Sequence, residues 1–405
     1  MSPPPVLPYG RQDVDDADVA AVVGVLRSDF LTQGPEVAAF EAALAERCGA
    51  PHAVVVNSAT SALHLACLAL GVGPGDEVWT TSITFVATAN AARLCGAEVR
   101  FVDIDPLTRN LCPVALRREL AAARAAGRAL PRVVIAVHFA GEPCDMASIA
   151  ALAREYRFRT VEDASHALGA RRGAHAVGSC EHADVAVFSF HPVKIATSGE
   201  GGAALTRDAG IDARMRILRT HGVRPDARAA ASGEPWRYEQ RELGPNYRMS
   251  DLHAALGRSQ LGRVDAFLER RHRLAERYDR ALSGWPLERP RRDPGSFSAL
   301  HLYPVAFVDG SRDGAVRRRV FGAMRRAGIG VNVHYIPVHT QPYYRARTGG
   351  GAVSLPHAER YYARALSLPL FGTMTFADQD RVLGALGAAL GGASRDGDDG
   401  RALAA

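Results

Sequence analysis

The chain reads as an α/β protein, with a large domain on a mainly parallel sheet followed by a smaller C-terminal α/β unit. Three observations predict this. From about residue 53 to 206, short β-rich runs alternate with stretches whose apolar residues recur at helical spacing. The β-rich runs are continuously apolar rather than alternating, as strands covered on both faces require. The polar clusters "NSATS" (57–61), "VEDASH" (161–166) and "FSFHPVK" (188–194) follow directly on such runs. In open parallel sheets, ligands sit beyond the carboxyl ends of the strands.

Taken in order, the predicted strands are "AVVVN", "EVWTT", "EVRFV", "RVVIAVHF", "RFRTVED", "VAVFSF" and "GAALT". Between them "SALHLACLALG", "TANAARLCG" and "MASIAALAREY" have helical periodicity. Residues 250–283 read as one long amphipathic helix leaving the first domain. After "GWPLERPRRDPGS" come a strand at "LYPVAFV", a helix at "AVRRRVFGAMRRAG" and a strand at "IGVNVHY". Two late helices follow near 356–366 and 377–390. The expected division is 1–250 for the N-terminal segment and large domain, then 251–391 for the linking helix and small domain. Residues 392–405, small, polar and aperiodic, read as a loose tail.

Composition narrows the class. The chain has 405 residues, 47% hydrophobic and 23% charged, ordinary for a soluble globular protein. A net charge of +6 invites a nucleic-acid reading, but the arginines are spread among 43 acids, without a basic run or aromatic platform. A mildly basic enzyme acting on anionic substrates fits equally well. The six cysteines show neither a C-x-x-C pair nor metal-ligand spacing, so no metal is expected and reduced thiols in a cytoplasm are. The N-terminal "MSPPPVLPYGRQDVDD" lacks the pattern of a signal peptide, and no apolar run is long enough to span a membrane.

Lys194 is the only lysine; the other 48 basic residues are arginine. Lysine and arginine differ most where the nitrogen must lose its proton, since a guanidinium stays charged in any protein setting. A sole lysine points to covalent amine chemistry, although compositional bias with one chance survivor explains the count equally well. Asn57–Ser61, between a strand and a helix, could offer free N–H groups to a phosphate or form an ordinary cap. Asp163 ends a strand, and a buried carboxylate there needs a positive partner such as a protonated pyridine nitrogen. An aspartate capping the next helix explains that segment alone at least as well. The spacing adds weight: an aspartate at one strand end and Lys194 after the next strand could grip opposite ends of one flat ring.

The ordered set "NSATSALH", "TFVATAN", "VEDASHALGA", "FSFHPVKIATSGEGG" and "LGPNYRMSDLHAALG" closely resembles the DegT/StrS family of nucleotide-sugar aminotransferases, which use pyridoxal 5'-phosphate (PLP). The likeness runs from about residue 8 to 390. It implies a type I aminotransferase fold and a homodimer with shared active sites. On it, Lys194 matches the Schiff-base lysine and Asp163 the partner of the ring nitrogen. His166 matches a residue near the phenolic oxygen, and Phe85 the aromatic that stacks on the ring. Ala59, Thr60 and Ser189 match phosphate-cradling positions, and Asn246 the residue given by the neighbouring subunit. Ala196 and Ser198 stand where threonines are common, and Pro245 precedes Asn246. Some members carry histidine at the lysine position and dehydrate sugars instead; Lys194 argues against that branch.

A finer resemblance, in "PYGRQDVDDADV", "LRSDFLTQGP", "VHFAG" and "VNVHYIPVHTQPYY", is to the branch acting in pseudaminic acid biosynthesis. That branch forms UDP-4-amino-4,6-dideoxy-N-acetyl-β-L-altrosamine from the 4-keto sugar, with glutamate as donor. The positions implied for the sugar nucleotide are Tyr9, Asp29, Phe30, Leu31, Thr32, His334, Tyr335, Ile336 and Pro337, with Ala59, Ser189 and Asn246 near the substrate. Without the family, "HYIPVH" reads equally as a packed strand with polar ends. The rival readings are amination of another nucleotide-linked 4-keto sugar and a non-catalytic regulator on the same fold.

Overall fold

The computed structural model describes residues 6–226, 233–308, 314–347 and 353–395. The tail expected at 392–405 lies outside them beyond residue 395. All seven predicted strands form and join one sheet: β1 (His52–Val56), β2 (Glu77–Thr81), β3 (Glu98–Val102), β4 (Val133–Val137), β5 (Arg159–Asp163), β6 (Val185–Ser189) and β7 (Gly202–Thr206). Their spatial order is β1-β7-β6-β5-β4-β2-β3. Neighbours pair in parallel except at β7, which runs antiparallel to both β1 and β6. The reversal brings Gly202 to the edge where β1 and β6 end, opposite Val56 and Ser189.

Both faces of the sheet are covered, which is why its strands read as unbroken apolar runs. Val54, Val56, Val161, Val185 and Val187 pack with Leu63, Leu65 and Ala66 of the helix Ala59–Ala69. Behind, Val55, Phe188 and Phe190 pack with Phe40 and Leu44 of the helix Pro35–Cys48 and with Leu268. Ser58 caps the helix Ala59–Ala69 by accepting from the Ser61 N–H. The sequence turns from strand to helix here because a hydroxyl replaces the missing backbone acceptor.

The smaller unit is a three-stranded antiparallel sheet, β8 (Leu287–Glu288), β9 (Tyr303–Phe307) and β10 (Ala365–Leu368), with β9 in the middle. Tyr303, Val305 and Phe307 pack against Leu274 and Tyr278, against Val320 and Met324, and against Val382 and Leu386. Leu7 joins this cluster, its N–H donating to the Gly328 carbonyl at 2.9 Å.

Two expectations need correction. The helix predicted over 250–283 is two helices, Asp251–Leu261 and Val264–Ala281. The break falls at Gly262, where side chains on either side are drawn to one acidic cluster: Ser259 and Gln260 donate to Asp18, and Arg263 to Asp13 and Asp18. The strand predicted at "IGVNVHY" is absent; only isolated bridges form, Leu7 with Ile329 and Asn332 with Ser367. Beyond the backbone pair at Asn332 and Ser367 the contacts pass to side chains: the Asn332 Oδ1 accepts from the Val333 N–H, and His334 Nδ1 meets Ser367 Oγ at 2.8 Å. The two late helices form as Pro356–Arg364, ended by β10, and Phe376–Arg395.

Candidate active site

A cleft of about 500 Å³ opens at the carboxyl edge of the sheet, between the ends of β1, β2, β5 and β6 and the segment 332–336. Lys194 lines it from the loop joining β6 to β7. Its backbone N–H donates to the His191 carbonyl at 2.9 Å, and its side chain makes no hydrogen bond or ion pair among the described residues. Loss of hydration lowers its pKa from 10.5 to about 8, against the opposing pull of the Asp163 carboxylate. Such an amine is partly neutral near physiological pH.

Asp163, the last residue of β5, is buried and also lines the cleft. Thr88 Oγ1 donates to its Oδ2 at 2.7 Å; Ser165 donates to Oδ1 through its hydroxyl (2.6 Å) and its N–H (3.2 Å). These donors fix the direction of the carboxylate.

His166 is buried beside them, its Nε2 3.1 Å from the Tyr335 hydroxyl. Burial, then the nearby Lys194 and His334, hold its pKa well below the usual histidine value. Burial raises the Tyr335 pKa, with Asp163 adding to it, so the phenol keeps its proton. His334 is pulled down to about 3 by burial and then Lys194. These imidazoles stay neutral at any ordinary pH. They are hydrogen-bonding walls rather than charges.

The structure gathers Tyr9, Ala59, Thr60, Phe85, Asp163, His166, Ser189, Lys194, His334, Tyr335 and Ile336 around this one cleft. Tyr9 and His334 are in ring contact at 5.5 Å, and Phe85, 59% exposed, lies 6.3 Å from the Tyr335 ring. The remaining predicted residues lie elsewhere. Pro337 begins the turn beyond the cleft, accepting from Thr340 Oγ1. Asp29, Phe30, Leu31 and Thr32 are exposed, and Thr32 bridges Ser250. Asn246 is exposed and bridges Thr220. Those two segments meet on an outer face: the Asp251 N–H donates to the Leu31 carbonyl at 3.0 Å.

Sequence reasoning missed Thr88 and Ser165, which aim Asp163, and Gly202. Thr84 and Thr88, four residues apart and hydrogen-bonded at 2.7 Å, left a faint signal in "TFVATAN". A Cβ on Gly202 would stand 2.5 Å from the Ala59 nitrogen and the Ser58 carbonyl carbon, so only glycine lets β7 pass under this helix start. Among the described residues, no group of three His, Cys, Asp or Glu is placed to hold a metal ion, and no helix is long and apolar enough to cross a membrane.

These residues fit a flat aromatic ring bearing a phosphate. The Ala59 and Thr60 N–H groups have no hydrogen-bond partner among the described residues and stand at a helix N-terminus, where an anion is favoured. The exposed Phe85 ring offers a stacking face, Asp163 an acceptor for a protonated ring nitrogen, and Lys194 an amine for a carbonyl carbon. The His166 Nδ1 is buried without a partner.

The sequence pattern of the DegT/DnrJ/EryC1/StrS aminotransferase family matches residues 12–387. The chain is 39% identical over 384 residues to the spore coat polysaccharide biosynthesis protein SpsC of Bacillus subtilis (strain 168), covering 94% of this chain and 96% of that one. It is similar in structure to Helicobacter pylori PseC, an aminotransferase involved in the biosynthesis of pseudoaminic acid. The TM-score is 0.87 and the identity 29%, covering 96% of this chain and 100% of that one. It also resembles the putative sugar aminotransferase Spr1654 of Streptococcus pneumoniae in its PLP form, with a TM-score of 0.85 and 27% identity over 95% of this chain and 98% of that one. A PMP form of that protein matches equally well.

Proposed function

The chain belongs to the DegT/DnrJ/EryC1/StrS aminotransferase family and is a PLP-dependent sugar aminotransferase, and from that premise we propose its substrates. The amino group passes from glutamate to C4 of a UDP-linked 4-keto-6-deoxy-N-acetylhexosamine. The observation that carries this reading is the cleft itself. Tyr9 and His334–Ile336, from the segments resembling the pseudaminic acid branch, line the same cavity as Lys194 and Asp163. The likeness to PseC supports it.

Bound PLP supplies an electron sink that lets an amino group move between two carbon skeletons. The chain's own residues do the rest. Ala59, Thr60 and Ser189 would hold the phosphate, Phe85 would stack on the ring, and Asp163 would keep the ring nitrogen protonated. Lys194 would hold the cofactor and, with its amine free, would take a proton from the carbon bearing the donor's nitrogen or give one to the sugar carbon being aminated, a task its lowered pKa suits. An arginine there could neither attack nor give up a proton. The enzyme acts in the cytoplasm as a homodimer, Asn246 of each copy reaching the cleft of the other.

The test offers holoenzyme and glutamate the UDP-linked L-arabino 4-keto sugar, its D-xylo C5 epimer, and the matching dTDP sugar. The first is expected to have the highest kcat/KM, because buried partners for the acetamido and uracil groups discriminate more than a missing methylene does. A clear preference for the dTDP compound would overturn the substrate and leave the aminotransferase standing.

A further inference from the structure

Two buried imidazoles, His166 of the cleft lining and His301 behind it, lie near Lys194, and the chemistry above gives neither a task. The rings of His166 and His301 lie 4.4 Å apart with planes 39° from parallel. The Nδ1 atom of each is buried and has no hydrogen-bond partner among the described residues. We propose that His301 is a positioning residue: packed on His166, it holds that imidazole neutral, in one tautomer and one place. The inference rests on the reading above, which puts His166 beside the bound ring.

The tautomer follows from the neighbours. The Tyr335 hydroxyl lies 3.1 Å from His166 Nε2; donation by this phenol, which keeps its proton, would put the single proton of the neutral ring on Nδ1. A second proton would add a positive charge to a ring closed on one side by His301, in a space shielded from water. The titratable groups facing His166 are Lys194, His334 and Tyr335; those facing His301 are His166, Lys194, Arg271 and His334. Asp163 faces Lys194 and Tyr335. Burial first, and neighbouring groups that carry or can take a positive charge second, hold both imidazoles well below their usual pKa.

The placement of His301 is built in several ways. It lies two residues before β9, in a segment strapped to the turn after β4: Ala299 N–H donates to the Gly141 carbonyl (3.0 Å) and Leu302 N–H to that of Ala140 (3.3 Å). The buried Arg271 Nη1 donates to the carbonyls of Leu300, His301 and Leu370 at 3.3, 3.2 and 3.0 Å. A Cβ on Gly141 would come within 2.8 Å of Leu300 N, 2.9 Å of His166 O and 3.0 Å of His301 N. Glycine therefore lets the two histidine segments close on one another. Through His301, the smaller sheet sets the position of a ring beside the reacting amine.

The test reads imidazole nitrogen shifts against pH in holoenzyme labelled with 15N-histidine, with His166 assigned through His166→Gln. In the wild type His166 is expected to stay neutral at least about one unit below the ordinary midpoint of about 6.5. In His301→Ala water reaches the ring, its midpoint rises by at least about one unit, kcat falls about tenfold and the sugar KM stays within about twofold. His301→Phe, flat and unable to titrate, is expected to keep His166 neutral and kcat near wild type. If the alanine variant does not fold, His301→Asn is read in its place, with the same expectation. An unchanged His166 midpoint in the small variant, a loss confined to KM, or a phenylalanine variant behaving like alanine would overturn the proposal. The shifts are readable without cofactor too. A wild-type chain that binds no PLP would sink the proposed chemistry while leaving the packing of the two rings measurable.

Discussion

The floor of the cleft and the outer face near Asn246 were both singled out by the same kind of reading, yet they are built in opposite ways. On the floor, Asp163 leaves a strand end and is held by neighbours within the chain, Thr88 and Ser165. On the outer face, Asp29–Thr32 and Asn246 are exposed, with Phe30 53% and Leu31 50% accessible. That face is nonetheless strapped to the floor: Arg248 bridges Val56, and the Asn57 N–H donates to the Tyr247 carbonyl at 3.0 Å. The first set lines the cleft of its own chain, and the second does not. In the proposed dimer, the second set would serve the cleft of the other copy.

Four outcomes would sharpen or break that contrast. The largest effect is expected on the floor. Lys194→Arg keeps the charge and the fold but loses the nucleophile, so turnover should fall at least about 10⁴-fold. Borohydride reduction of wild type should fix the cofactor to the peptide carrying Lys194, and recovery of cofactor anywhere else would remove its assigned role. Asp163→Asn should still bind PLP, while kcat falls about 10²- to 10³-fold because an amide cannot hold the ring nitrogen protonated. Near-normal turnover in that variant would shift the role to another group.

A smaller effect concerns pH. Capture of PLP by the apoenzyme needs the neutral amine. With the Lys194 pKa near 8, the capture rate should be level above pH 8 and fall about tenfold per unit below it. A midpoint near the free lysine value of about 10.4 would mean that the cleft does not desolvate the amine.

The smallest effect tests the outer face. Inactive Lys194→Ala and Asn246→Ala chains, mixed in equal amounts and allowed to exchange, should recover about a quarter of wild-type activity, since half the dimers carry one intact site of two. No recovery from chains that do exchange would confine the site to one subunit.

Much of the fold was legible because the seven sheet strands are short and buried on both faces, so their apolar runs announce them. The floor was legible because its residues are constrained by chemistry: a lone lysine among arginines, an aspartate closing a strand. What stayed hidden depends on distant partners. The split at Gly262 follows from contacts with Asp13 and Asp18, about 245 residues away in the chain. The strand expected at 329–335 is reduced to single bridges to Leu7 and Ser367, both far away in the chain. Nothing local marks His301, which matters only once the turn at Gly141 brings two remote segments together.

The reversed strand β7 has a consequence for how such a protein can change over time. The chain leaves the catalytic edge at Ser189 and returns to it at Gly202, opposite its own departure point. The loop between them is closed like a buckle, its two ends zipped side by side. Within it Ile195, Ala196, Thr197 and Ser198 are buried, and Gly202 is pinned by the helix start above it. Drift at those positions is barred by the scaffold, whereas the Lys194 side chain, without a hydrogen bond among the described residues, answers to the reaction it serves.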